Sequence, residues 1–152
     1  MENLIDTWRI NQEMNLSLVL DIKEESFSDI STAKGRTIGE QLAHIHNVRL
    51  MWLKVASPEL LPSQKKFEKE TPFSKRELMK EMEKSSEAVI SLLKDGFTTG
   101  RIKGFKPHPE AFLGYMIAHE AHHRGQIILI LKENGHIPGK KTLFGLWEWG
   151  TK

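Results

Sequence analysis

The stretch IAHEAHHRGQI, residues 117–127, gathers three of the chain's seven histidines. It lies inside a segment, about Pro109 to Lys132, whose apolar residues recur at helical spacing. His119 and His123 are four residues apart, so on a helix one stands a turn above the other and both can aim a ring nitrogen at one point. Stepping about 100° per residue from His119 places Phe112, Met116, His123, Gln126, Ile127 and Ile130 within about 80° of it. Glu120, Arg124 and Ile128 fall farther round, at about 100°, 140° and 180°. The two histidines are therefore expected on the inward stripe. Two desolvated imidazoles each need a partner, either polar neighbours in the core or one shared metal ion.

This helix can begin at Pro109, since proline is tolerated at a first helical position, and should stop at Asn134-Gly135, with Pro138 beyond. A second face carries Gly114, Ala118, Ala121 and Gly125 within about 60° of one another. Small side chains let another helix come close, either within the chain or from a second subunit. The tail from Leu143 to Trp149 is expected to lay its aromatics over one end of the bundle.

Three more helices precede it. From about Asn3 to Ser26, Leu4, Ile5, Trp8, Leu18, Val19 and Ile22 form an apolar stripe that also holds Asn11 and Asn15. An inward asparagine must find hydrogen bonds. These two either hold a neighbouring helix or line a polar cavity, and Asn15 is a candidate cofactor-pocket residue. Thr37 and Glu40 make a capping-box signature for a helix to about Ala56, with Ile38, Leu42, Ile45, Val48, Trp52 and Val55 as its stripe. On its wheel His44 reaches the core edge, whereas His46, about 120° from the stripe, is expected to face water. Pro58 to Pro72 reads as a long irregular connection able to cover a site. Phe73, Ser74 and Glu77 resemble a staple and capping box for a third helix that buries Leu78, Met82, Val89, Ile90 and Leu93 and stops at Gly96.

The expected architecture is an all-α four-helix bundle with long crossover connections, residues 1–152 forming a single domain. Its inward histidines on facing helices are His44, His119 and His123. A formal charge of +2 over 152 residues, with both signs interspersed, argues against a nucleic-acid surface. With no cysteine in the chain, neither a disulfide nor a thiolate ligand or nucleophile is available. No segment reads as a signal peptide or membrane span, which makes a cytoplasmic location the default expectation.

Residues 119–123 also satisfy H-E-x-x-H, the pattern of zinc proteases. The extended form of that motif needs glycine and histidine where this chain has Gln126 and Leu129. No strand is evident to align a peptide, and Glu148 lies in a short aromatic tail, a poor source of a distant ligand. Glu120 is not expected to be a general base.

T-I-G-E-Q-L-A-H-I at 37–45 and H-E-A-H-H-R-G-Q-I at 119–127 together resemble the DinB/YfiT-like family of metal-dependent four-helix-bundle proteins. Helix order, the crossover and the terminal W-x-W fit as well, so the resemblance covers nearly the whole chain. It implies a divalent metal, nickel or zinc, held by three histidines that by motif position are His44, His119 and His123, and it implies homodimers. His122 matches an adjacent, non-ligating histidine. Some relatives are thiol S-transferases or thiol-dependent isomerases using bacillithiol, mycothiol or glutathione, and others are hydrolases.

Three neutral donors leave a metal coordinatively open, which is the pattern of catalytic sites. The leading expectation is an enzyme whose metal activates water or a low-molecular-weight thiol such as bacillithiol against a small electrophilic substrate. Gln126 and Glu40 are candidates to orient a ligand or that substrate. The alternatives are a metal-dependent hydrolase, a metal-binding stress-response protein without turnover, and a bundle whose histidines only pack.

Overall fold

Four long helices carry the fold in the computed structural model, which describes residues 1–69 and 71–151. They are α1 (Glu2–Asp21), α2 (Ile38–Ala56), α3 (Lys75–Thr99) and α4 (Pro109–Glu133), followed by the short α5 (Lys140–Gly145). Among the described residues there is no strand, only one antiparallel bridge between Ile102 and Phe105. Of the described helices, none is long and apolar enough to cross a membrane. The protein is an all-α bundle.

The helix ends follow local chemistry. At α2, Thr37 accepts from the Glu40 backbone N–H and the Glu40 carboxylate accepts from Thr37 N–H, the reciprocal capping box expected of this pair. At α3, Ser74 accepts from Glu77 N–H, while the Glu77 carboxylate pairs with Lys65 of the preceding connection. His108 caps α4 by accepting from Ala111 N–H. The expected stop of α3 at Gly96 is corrected: the helix runs on to Thr99 and ends at Gly100, whose φ of 75° is left-handed. Gly96 is instead a contact point, where an added Cβ would lie 2.3 Å from Cδ1 of Ile102.

Both α1 and α2 pack against α3 and α4, which puts α1 and α2 on one diagonal and sends the connection between them across the bundle. Two apolar clusters fill the ends. Ile5, Trp8, Leu53, Leu93 and Phe112 centre one; Leu18, Leu42, Leu78, Met82 and Ile127 centre the other.

Between them lies a buried polar layer. Arg49 of α2 and Glu120 of α4 are both fully buried and meet side-on, Nε to Oε1 at 2.6 Å and Nη2 to Oε2 at 3.0 Å. Arg49 also donates to Gln12 Oε1, the Met82 carbonyl and Ser85 Oγ, and its guanidinium lies 4.9 Å from the Trp8 ring centroid. Asn11 and Asn15 each donate Nδ2–H to Glu120 Oε2 at 2.6 Å. Their side-chain oxygens accept from Arg124 Nη1 at 2.8 and 2.6 Å, so the two amides bridge the carboxylate to a second cation. Burial alone would raise the Glu120 pKa, but the Arg49 charge and these hydrogen bonds outweigh it and hold the carboxyl below its ordinary range.

This layer corrects the wheel of α4. Its buried arc is centred near Ile127 and Glu120, about 50° round from the centre of the stripe read in the sequence, so Glu120 and Arg124 are interior and His119 sits on the rim. His46 is corrected too, being fully buried. The connection before α3 folds over it: Nε2–H donates to the Lys65 carbonyl at 2.8 Å, Nδ1 meets Ser85 Oγ at 3.0 Å, and the Phe67 ring packs at 5.2 Å. Desolvation pulls its pKa down to about 4, against a smaller raising effect from the Lys65 carbonyl. The tail departs from expectation as well, with Trp147 83% exposed and Phe144 in solvent, while Leu146 alone is buried.

Glu120→Gln removes the one anion that, among the described residues, pairs with Arg49, and leaves two interior guanidinium groups uncompensated. The variant should lose about 3–5 kcal/mol of unfolding free energy in urea, against less than about 0.5 for Glu87→Gln on the surface. Equal losses for the two variants would show that the layer contributes nothing special to stability.

Candidate metal centre

His44 of α2 and His119 and His123 of α4 meet at the seam between those helices. One nitrogen from each lies within 4.8 Å of the others, an arrangement that could hold a metal ion. Nε2 of His119 and Nε2 of His123 are 3.2 Å apart. Two metal–nitrogen bonds of about 2.0–2.1 Å at a tetrahedral angle would set their nitrogens about 3.4 Å apart, so this spacing fits a shared ion. The His44 ring centroid is 5.3 Å from that of His119 and 4.7 Å from that of His123. His123 is buried, and the other two are half-buried at the edge of the bundle.

The pair on α4 has the i, i+4 spacing of the sequence motif, and register does the rest. Arg49 follows His44 by five residues, and Glu120 follows His119 directly. The buried ion pair therefore locks α2 against α4 at the height where the three rings face one another.

Each imidazole is held toward its neutral form. Burial pulls His44 down, with the Arg36 charge and His119 adding to it. His119 is lowered by burial against a raising contribution from Glu120. His123 falls to about 4 through burial, then through His119, His44, His122 and Arg36. Neutral rings keep lone pairs available to a cation. His119 Nδ1 is buried without a hydrogen-bond partner among the described residues.

Gln41, which sequence reasoning missed, sets the orientation of His123. Its Oε1 lies 2.5 Å from His123 Nδ1, so that nitrogen carries the proton and donates, leaving the Nε2 lone pair turned toward His119. Gln41 Nε2–H in turn donates to Gln126 Oε1 at 2.9 Å, and Gln126 Nε2–H donates to His122 Nε2 at 2.9 Å. Gln126 thus braces the residue that holds a candidate ligand, and among the described residues its own side-chain hydrogen bonds go to Gln41 and His122. A signal existed: Gln41 lies one turn before His44 on the same side of α2, where an inward amide needs a partner.

The remaining sequence candidates fall elsewhere. Asn15 is buried in the central layer, where its amide donates to Glu120 and accepts from Arg124 and so holds α4. Glu40 is used by the capping box. Glu120, despite its place in H-E-x-x-H, points into the core, and Glu148 lies exposed in the tail.

Comparison with known proteins agrees with the fold. A crystal structure of a DinB-like protein from Bacillus cereus superposes with a TM-score of 0.71 at 23% sequence identity, covering 91% of this chain and 96% of that one. No curated protein matches the chain. The model of the DinB family matches residues 1–150, and the chain belongs to that family.

Proposed function

We propose that His44, His119 and His123 hold a divalent metal, nickel or zinc, and that the protein is an enzyme joining a low-molecular-weight thiol, such as bacillithiol, to a small electrophilic substrate. The observation that carries the metal reading is the convergence of three neutral imidazoles, one of them oriented by Gln41 so that its lone pair faces the others. When bound, a divalent ion on three neutral donors supplies a Lewis-acidic open position that lowers the pKa of a thiol or water.

The chain's own residues do the rest. Gln41 fixes the His123 tautomer, and the Arg49–Glu120 pair fixes the height of α4. The layer also withholds Glu120 from chemistry, because both carboxylate oxygens are already accepting hydrogen bonds. With no cysteine in the chain and this carboxylate locked, the nucleophile comes from outside the polypeptide. The thiol sulfur bonds to the electrophilic carbon, the leaving group departs with its electron pair, and the thiol proton passes to solvent.

We further propose a homodimer. The ridge Gly114, Ala118, Ala121 and Gly125 is exposed on α4, and a Cβ built at Gly114 or Gly125 meets nothing within 4 Å, so among the described residues nothing packs at either glycine. The Leu129 side chain extends it in solvent. Light scattering should give twice the chain mass for the wild type and a shift toward the monomer for Ala121→Arg; a wild-type monomer at micromolar concentration would refute the dimer.

Metal content measured on untagged protein should be one ion per chain, abolished by His44→Ala, His119→Ala or His123→Ala and retained in His136→Ala. Gln41→Ala should weaken binding by about tenfold to a hundredfold in a chelator competition. Retention of full stoichiometry by the His44 or His123 variant would break the triad assignment.

Turnover is tested with chlorodinitrobenzene and bacillithiol or glutathione, on metal-loaded and metal-stripped protein. Conjugation should require both thiol and metal. Metal-dependent ester hydrolysis without thiol would instead make the protein a hydrolase, and silence in both assays would leave a metal-binding stress-response protein.

A further inference from the structure

A groove of about 1100 Å³ opens beside His44. Its walls are the first turns of α2, the connection before α2, and the stretch leading into α3. The apolar part is a run of three rings from separate segments: Phe67 and Phe73 have centroids 4.5 Å apart, and Phe27 and Phe73 have centroids 5.9 Å apart. His44 and Arg36 line the same groove.

The charges on this wall are unequally committed. Glu24 accepts from the Lys75 backbone N–H, Glu40 is taken by the capping box, and Glu68 pairs with Lys66. Lys69 also has a partner. Arg36 makes no hydrogen bond or ion pair among the described residues, although it stands next to the Thr37 cap, where the backbone is fixed. Its field reaches the triad, since it acts on all three imidazoles. An uncommitted guanidinium in the wall of an aromatic groove, with a candidate ligand histidine in the same wall, matches one ligand chemistry. An oxyanion suits the fork of donors, and a flat or branched apolar body suits the rings.

We propose that this groove binds an organic anion, a small molecule whose carboxylate sits on Arg36 and whose apolar body lies along Phe27, Phe67 and Phe73, held in the same groove that His44 lines. This names the substrate class of the proposed enzyme and rests on the metal reading only for the reaction beside His44. Binding of the anion itself needs no metal.

The probes are 1-naphthoate and its neutral analogue 1-naphthamide, titrated into the full chain in metal-free and zinc-loaded form and followed by backbone amide shifts. Naphthoate should bind with shifts at Ala43 and Phe73 and be preferred over the amide by about fivefold, the scale of one partly exposed ion pair. Arg36→Gln should erase that preference while leaving naphthamide affinity unchanged, and added salt should reduce it in the wild type. Equal binding of the two probes, a preference that survives Arg36→Gln, or shifts elsewhere on the bundle would each overturn the proposal. Loss of zinc stoichiometry with the naphthoate preference intact would overturn the metal reading and leave the anion site standing.

Discussion

The fold depends on one interaction, the side-on pairing of Arg49 with Glu120 between two apolar half-cores. Removing a carboxylate and a guanidinium from water costs several kcal/mol per ion, and their mutual attraction offsets that only when the remaining donors and acceptors are also satisfied. Here the guanidinium donates to Glu120, Gln12, Ser85 and the Met82 carbonyl, and the carboxylate takes four hydrogen bonds. Partners come from all four long helices. Sliding any one helix by a turn, about 5.4 Å, would strand a charge in the interior. A bundle of leucines alone tolerates such slips far better, so the polar layer specifies register more than it adds stability.

Register is what the histidines require. His44 belongs to one helix and His119 and His123 to another, and nitrogens within a few ångströms of one another tolerate little sliding. Glu120 is the residue between them that faces inward, so the chain uses neighbouring positions of α4 for two tasks: one anchors the helix, the other faces the seam. The same division explains why H-E-x-x-H misleads here. A protease needs its glutamate free beside the metal, whereas this glutamate is bound by one arginine and two asparagines.

Periodicity and end signals made much of this legible in the sequence. The Thr37–Glu40 box, the α4 stop near Gly135 and the buried face of α3 need only neighbours a few residues away, and so does the i, i+4 pair of histidines. What the sequence concealed depends on partners distant along the chain. Asn11 and Glu120 are 109 residues apart, and without that pairing a wheel of apolar residues assigns Glu120 and Arg124 to the flank. His46 looked solvent-facing because a wheel knows nothing of the connection at residues 61–69 that closes over it. Gly96 read as a stop because glycine ends helices, yet its missing side chain makes room for Ile102. The tail's aromatics were assigned to the bundle by composition alone, and of the tail only Leu146 is buried.

Charge around the triad leads one step further. The central layer holds two arginines and one glutamate, a net positive charge, and Arg36 adds another beside His44. The three imidazoles are neutral donors, each held low by burial and by cationic neighbours. Such surroundings disfavour a bare cation and favour a cation accompanied by an anion, because the added negative charge interacts with the metal and with the arginines together. On the proposed reading, the three-histidine site and the groove lined by Arg36 are parts of one electrostatic design: a metal on neutral donors would leave positive charge uncompensated at the seam, and that excess would select anionic groups, whether an ionised thiol or the carboxylate of an organic acid.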